Sequence, residues 1–438
     1  MLHHPCSSIY FSIVSFVTIL SAKRTEAATI VSVGLLLIGL FTNDFLPAFS
    51  GIGTLSIGLT ALLHTVGHRH IVQKKHWRVY SALTGVFFLH VVAGLNTSEA
   101  NREEYWVDIF QQLPFLVLPA AFWLLPPLSS LALQRLYLLF YYLVVASALG
   151  STGYYLMHRA EIDQLYYQSQ IIPTVPDYIR FSLMVTFAIA IGSLFLINQA
   201  IAGRHRLLVL LTTIFLILYL YLLAVRSGLV AFNALGLVVI GWSWQTRHYK
   251  WALGAGGMLL ILPLMSFICF PTFHNKYYNT QDDVSRVEKA GSANNFSLVG
   301  RVYSYKVGLQ IAQAHPLIGV GKADMEDEVA VYYQDDFPAI EPTAYLLPHN
   351  QFLYYLVAFG GLGLFVFNVC FYYPLYWSWP NIAPLLIAQY IIISLSFLVE
   401  YTLDQKNQVG LLFTLLFLLM PINGLMLPTR QEVDWRPS

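Results

Sequence analysis

Charge is scarce in this chain. Of 438 residues only 11% are Asp, Glu, Lys or Arg, while 57% are hydrophobic. Soluble domains carry about 25% charged residues, so a water-facing surface around a chain of this length is excluded. Cysteine is also rare: Cys6, Cys269 and Cys370 have no metal or redox spacing, and the last two lie in apolar runs, so they are expected to be small buried hydrophobes. Cofactor signatures are missing. Gly319-Val320-Gly321-Lys322 is not a nucleotide-binding phosphate loop, because Pro316 stands where its first glycine belongs and Ala323 where Ser or Thr belongs. Asp282-Asp283 and Asp335-Asp336 lack the spacing of a metal site, and no His/Cys cluster suggests zinc. Asn96-Thr97-Ser98 matches a glycosylation sequon, a cheap pattern that carries little weight by itself. No internal repeat and no cleavable leader are evident; the first apolar run, Ile9 to Leu20, ends in Lys23-Arg24 and reads as a retained anchor.

What fills the chain is a series of long apolar runs. A bilayer core takes roughly 20 residues as helix. Candidate spans lie near 8–22, 27–42, 50–67, 79–95, 113–127, 132–156, 178–199, 205–225, 227–245, 251–270, 350–376, 382–400 and 408–427. The fold class expected is therefore all-α, a polytopic membrane bundle of about 12 spans. The aromatic content of 15% suits rings at membrane interfaces. The net charge of +1 matters less than its distribution. Lys23, Arg24, Arg69, Lys74, Lys75, Arg78, Arg135, Arg204, Arg206, Arg247, Lys250, Arg430 and Arg436 fall on one set of short loops, against only Glu26, Glu432 and Asp434. Those loops are expected to be cytoplasmic, which puts 96–112, 157–177 and 271–349 outside. The chain then divides into N-terminal spans (1–270), a large outer loop (271–349), and C-terminal spans with a cytoplasmic tail (350–438).

The large loop has structure of its own. Phe296 to His315 reads as an amphipathic helix, capped by Ser297 and stopped by Pro316. Leu298, Val302, Leu309 and Ala312 are expected on its membrane- or body-facing side, with Arg301, Tyr305 and Gln313 elsewhere.

A few polar residues stand at membrane boundaries. Arg226, in Val225-Arg226-Ser227-Gly228, falls in the turn between two apolar runs. Its plain explanation is a snorkelling anchor; its functional one is a clamp for a lipid-linked phosphate, since a guanidinium binds phosphate bidentately and keeps its charge. Arg301 alone would be a solvated helix charge. His349, in Pro348-His349-Asn350, begins the span after the loop. A positive helix end does not favour a second positive charge, so an imidazole there is suited to accept a proton. Glu400 ends the next-to-last span, followed by Asp404 and Gln405, and is as well suited to pairing with an arginine as to chemistry. His90, inside a span, reads as a buried hydrogen-bonding group.

Taken in order, Arg226-Ser227-Gly228, Gly300-Arg301-Val302-Tyr303, His315-Pro316-Leu317-Ile318-Gly319-Val320-Gly321, Pro348-His349-Asn350-Gln351-Phe352-Leu353, Gly360-Gly361-Leu362-Gly363 and Glu400-Tyr401-Thr402-Leu403-Asp404-Gln405 resemble the bacterial O-antigen ligase and polymerase family. The similarity runs from about Leu207 to Leu427; the N-terminal half matches in topology. The resemblance implies a GT-C-like helical fold in the bacterial inner membrane, with an active site facing the periplasm. It implies transfer of an oligosaccharide from undecaprenyl diphosphate to an acceptor, with inversion, without metal or other cofactor, and with no nucleic-acid partner. Carried over, Arg226 and Arg301 would hold the diphosphate and His349 would activate the acceptor hydroxyl. Tyr305, Lys306 and Glu400 are further candidates for substrate contact, with Tyr303 beside them.

The single long late loop looks like that of a ligase, with lipid A core as the first candidate acceptor; an O-antigen polymerase and a protein O-oligosaccharyltransferase are the near alternatives. One departure bears on this choice. Asp324, Glu326, Asp327, Glu328, Asp335, Asp336 and Glu341 crowd the segment between Lys322 and Pro342, which has no basic residue. They act against a phosphate-rich acceptor unless divalent cations intervene. A transporter or flippase would show repeated halves and charge at the bilayer midplane, and a non-catalytic scaffold would tolerate loss of Arg226, Arg301 and His349.

Overall fold

The computed structural model describes residues 22–43, 45–67, 77–168 and 170–425. The expected first span at 8–22, the C-terminal tail, Cys6 and the basic residues Arg69, Lys74, Lys75, Arg430 and Arg436 lie outside them. The described residues contain helices and no strand. Among the described residues ten helices are long and apolar enough to cross a bilayer, and two shorter apolar ones accompany them.

In chain order these are α1 (Ala22–Thr42), α2 (Ala48–Gly67), α3 (Trp77–Ala93), α4 (Arg102–Gln112), α5 (Pro114–Leu124), α6 (Ser130–Met157), the short α7 (Arg159–Leu165), α8 (Tyr178–Ile197), α9 (Gly203–Leu223), α10 (Arg226–Gln245) and α11 (Tyr249–Cys269). Then come α12 (Pro271–Ser285), α13 (Ser297–Ala314) and α14 (Met325–Asp336), followed by α15 (Gln351–Ser378), α16 (Pro384–Phe397) and α17 (Val409–Gly424).

The bundle is sorted by what its apolar residues meet. In α17 every residue from Val409 to Asn423 is buried, so this helix is the pillar of the molecule, packed against α5, α6, α8 and α16. Only Ala252 and Ser266 are buried on α11, whereas Trp251, Leu253, Leu260 and Ile268 stand in the open. An apolar helix exposed on nearly all sides requires hydrocarbon as its solvent. Cys269 ends this helix exposed and Cys370 is half-buried, so the expectation of buried cysteines fails for Cys269: its apolar run faces outward rather than into the core.

Three other expectations are corrected. Residues 99–112, assigned to an outer loop, are helical and run on into the next span, giving one helical stretch from Glu99 to Leu124 whose charged first part, with Glu99, Arg102, Glu103, Glu104 and Asp108, leads into an apolar one. Pro114 does not break it, because Leu113 keeps helical torsions and the proline occupies the first position of α5, where no N–H is needed. On α13, Ser297 is the first helical residue, Phe296 occupies the cap position, and no side chain of α13 caps it. Asp283, on α12, accepts from the Leu298 N–H instead (3.4 Å). The buried face of α13 is Val299, Tyr303, Val307 and Ile311, joined by Ala312, while Leu309 is exposed. The small residues Gly300, Ser304 and Gly308, four apart on this face, let α13 lie close: a β-carbon at Gly308 would come within 2.8 Å of Pro348.

Two of the glycine-rich motifs form one joint. α15 is broken at Gly360, where φ is +65°, a region open in practice to glycine. The break frees backbone groups that the segment after α13 takes up. Val320 and Gly321 donate to the carbonyls of Val357 and Ala358 (both 2.9 Å), and Gly361 donates to the carbonyl of Pro316 (2.8 Å). A β-carbon at Gly360 would fall inside the backbone of Leu317, and one at Gly319 inside that of Val357 and Ala358. Backbone pairing of this kind is what permits a helix to break in an apolar setting. It also fixes the next residue, Lys322.

Candidate active site between three helix N-termini

α8, α10 and α16 pack on one another, and their ends surround a cavity of about 350 Å³. Gly228 sets the geometry. A β-carbon there would lie 2.6 Å from the Ser182 side chain, so α10 can seat itself against α8 only with glycine. The Gly228 carbonyl accepts from Thr186 (3.1 Å). The turn before α10 is tight, with Ala224 left-handed (φ +52°), and it delivers Arg226 as the first residue of α10, in the cavity wall.

First-turn residues of α8 (Tyr178, Ile179), α10 (Arg226, Ser227) and α13 (Ser297, Leu298) all line the cavity. Three helix N-termini therefore converge there, each carrying partial positive charge and free N–H groups. Asp177 caps α8, accepting from the N–H groups of Ile179 and Arg180 (3.1 and 3.3 Å). Asp283 serves α13, whereas the cap position of α10 makes no side-chain hydrogen bond. The rest of the wall is largely apolar, with Ile171, Val225, Val230, Leu395 and Val399. Val230, one turn into α10, is 54% exposed, so the cavity is not closed on that side.

Arg226 and Arg301 both line this cavity, and they differ in their partners. Arg301 is ion-paired through Nη2 with Oε1 of Glu400. Among the described residues no carboxylate pairs with Arg226. Lys276, which also lines the cavity, was not singled out from sequence. Burial lowers its pKa to about 8, the positive charges of Arg226 and Arg301 act in the same direction, and Asp283 opposes them. Asp283 is itself pushed up by burial, against the pull of Arg226 and Lys276. The signal for Lys276 was a polar stripe at helical spacing: Thr272, Asn275, Lys276, Asn279 and Asp283 form the buried face of α12. The stripe anchors the helix, with Thr272 donating to the Leu222 carbonyl (2.6 Å), Asn275 to that of Asp163 (2.6 Å) and Asn279 to that of Tyr167 (2.9 Å).

Glu400 joins the cations to the imidazole. Besides Arg301 it faces Arg180 Nη2 (3.8 Å) and His349 Nδ1 (3.5 Å). Burial would raise its pKa, but His349, Arg301 and Arg180 outweigh that and hold the carboxyl below the usual range. Arg180 is a second residue missed from sequence; it sits in the first turn of an apolar helix, paired locally with Asp177, and Glu400 is brought to it by folding. His349 stands behind Glu400, its ring stacked on Tyr401 with centroids 5.3 Å apart. Tyr305 donates its hydroxyl to the carbonyls of His349 (2.8 Å) and Leu398 (3.1 Å), so its ring lines the cavity while its oxygen holds backbone. Asn350 caps α15, accepting from Phe352 and Leu353, and donates to the Leu398 carbonyl (3.2 Å).

The structure thus brings Arg226, Arg301, Tyr305 and Glu400 to one cavity, with His349 against Glu400. Lys306 is not brought there: it is exposed, with Nζ 4.3 Å above the ring of Tyr303. A side chain one position past Tyr305 on a helix points about 100° away from it. His90 is buried, its Nε2 3.2 Å from the Tyr355 hydroxyl.

A multi-pass helical membrane protein with a cation-lined cavity at its helix ends is the class this architecture defines. Residues 211–368, from within α9 into α15, match the family model described as O-antigen ligase, so this segment of the chain is similar to the O-antigen ligase/polymerase family, whose members are glycosyltransferase-like enzymes acting on lipid-linked glycans. The matched segment contains Arg226, Lys276, Arg301 and His349, and stops short of Glu400. No curated protein matches the chain significantly.

Proposed function

We propose that this protein is an inner-membrane glycosyltransferase that moves an oligosaccharide from undecaprenyl diphosphate to the hydroxyl of a periplasm-facing acceptor, with inversion and without a metal. The observation that carries this reading is Arg226: a guanidinium without a carboxylate partner among the described residues, at the uncapped N-terminus of α10, sharing a partly apolar cavity with Arg301 and Lys276. A diphosphate supplies the negative charge such a place lacks. The apolar wall and the opening at Val230 suit the first isoprene units of its lipid.

The chemistry follows from the arrangement. Glu400 faces Nδ1 of His349 at 3.5 Å, so a proton held on Nδ1 is favoured by the carboxylate and Nε2 keeps its lone pair. As the acceptor oxygen bonds to the anomeric carbon, its proton passes to Nε2. The bond between that carbon and the diphosphate oxygen breaks, and its electron pair leaves with undecaprenyl diphosphate. Arg226, Arg301 and Lys276 stabilise the negative charge as it grows. Ligation to lipid A core, polymerisation and transfer to protein are three forms of this reading that share one donor chemistry.

The test is reconstitution of the full chain in nanodiscs with an undecaprenyl-diphosphate glycan and candidate acceptors, followed by product mass and anomeric configuration. An inverted glycoside formed in the presence of chelator is expected. Lack of transfer together with lack of donor binding would sink the reading.

A further inference from the structure

A second cavity, of about 480 Å³, lies on the other side of Tyr401 and is not used by the donor chemistry. It is walled by the region around α4, the residues after Gly321, and the stretch from Tyr401 to Asn407. The link between the two cavities is a stack of rings. Tyr401 lies between His349 (centroids 5.3 Å apart) and Tyr354 (5.0 Å, planes 13° apart), and both tyrosines line the second cavity. Glu400 lines the first. The Glu400–Tyr401 peptide therefore separates the two spaces, with the imidazole at the boundary.

This segment is held as a rigid partition. Asp404 is buried and paired with Lys322 (3.0 Å), which also reaches Asp108 (3.4 Å). Gln351 and Gln112 donate to its two carboxyl oxygens (2.7 and 3.0 Å). At the other end Glu400 is tied to Arg301 and Arg180. Burial alone would lower the pKa of Lys322, but Asp404 and Asp108 reverse that and keep it charged. Its charge is thereby consumed within the wall.

Resting on the proposed transfer reaction, we infer that this second cavity is the acceptor site and that it takes an uncharged sugar bearing free hydroxyls. The tyrosine faces can pack against sugar C–H groups; Asn101 donates to Asp324 and Asp327, Gln405 donates to Glu400 and Asn407 accepts from the Val409 N–H, which leaves the amide oxygens of the first two and the amide N–H groups of Asn407 to meet hydroxyls. The rim carries Glu104, Glu326 and Asp327. Against them stands Lys406, whose Nζ lies 3.9 Å from Glu326. A phosphorylated acceptor would enter against that field, and like-charge juxtaposition across an interface is unfavourable.

Photo-crosslinking with the full chain in nanodiscs tests this. The probes are a neutral tetrasaccharide with a diazirine aglycone and the same compound carrying one phosphomonoester. The neutral probe is expected to label peptides spanning 101–111 and 401–407. The phosphorylated probe should bind at least roughly tenfold more weakly at low salt, a gap that narrows as salt rises. The Glu104→Lys/Glu326→Lys double variant, altered at two exposed rim positions, should close the gap. Labelling of peptides beside Arg226 instead, or equal binding of the two probes to the unaltered protein, would overturn the inference. Undecaprenyl-diphosphate binding, followed separately by native mass spectrometry, keeps the two ideas apart. Its absence would remove the donor reading while sugar labelling at 401–407 still stood.

Discussion

Nδ1 of His349 lies 3.5 Å from Oε2 of Glu400, and the same carboxylate is ion-paired with Arg301. One buried acid thus ties the proton acceptor of the proposed reaction to the cations that would receive its leaving group. The residue that orients the imidazole also fixes one wall of the donor cavity.

His349→Ala should lower the rate of the chemical step by about 10²–10⁴-fold, the range for removal of a general base. Donor affinity should change little, since His349 does not line the first cavity. Single-turnover transfer together with donor binding checks both parts. A variant that transfers within a few-fold of the unaltered protein would remove the histidine from the mechanism.

Arg226 and Arg301 should separate function from stability. Arg226→Ala orphans no carboxylate, so melting temperature should hold or rise while transfer falls by about 10²–10³-fold, the loss seen when one anion-stabilising donor is removed. Arg301→Ala should lose both, because it strips a partner from the buried Glu400, and breaking a buried pair costs about 3–5 kcal/mol. Equal thermal stability in the two variants would contradict this division.

Lys276 makes donor affinity depend on pH. Its pKa is lowered to about 8, so the ammonium is present below that value and lost above it. Binding of the diphosphate should weaken as pH rises from 7 to 9. Lys276→Arg should flatten that limb, because the guanidinium stays protonated throughout. Isothermal binding across the pH range measures it, and an unchanged slope in the variant would point to another group.

The depressed Glu400 carboxyl has the opposite sign. Its stabilising contribution is fully present above its ordinary value of 4.5 and disappears as pH falls through the lower folded value. Acid unfolding should show this loss, and Glu400→Gln should abolish that part of the profile.

Gly360→Ala should destabilise the protein by more than the ~1–3 kcal/mol of a disfavoured torsion, since its β-carbon also meets the backbone of Leu317. Detergent melting curves would show it. A variant that melts with the unaltered protein would mean that the joint between 316–321 and α15 can be rebuilt.

The membrane class, the helical fold and the site's first candidates were readable in the linear chain, each for a local reason. Twenty-residue apolar runs cannot be hidden in water, and an arginine such as Arg226 between two such runs has few places to go. Pairings across the chain were not readable. Arg180 gains meaning from Glu400, more than two hundred positions later, and Lys276 from a helix that looked like loop because its buried stripe is polar. Lys306 and the expected face of α13 failed for a similar reason: helical phase is set by what the helix packs on, here the close approach at Gly308. Composition and local pattern determine which solvent each segment tolerates, because transfer free energy belongs to the residue. The folded bundle alone decided which charges meet in one cavity and that Tyr401 parts it from a second, because proximity in space is created by packing between segments that share no local signal.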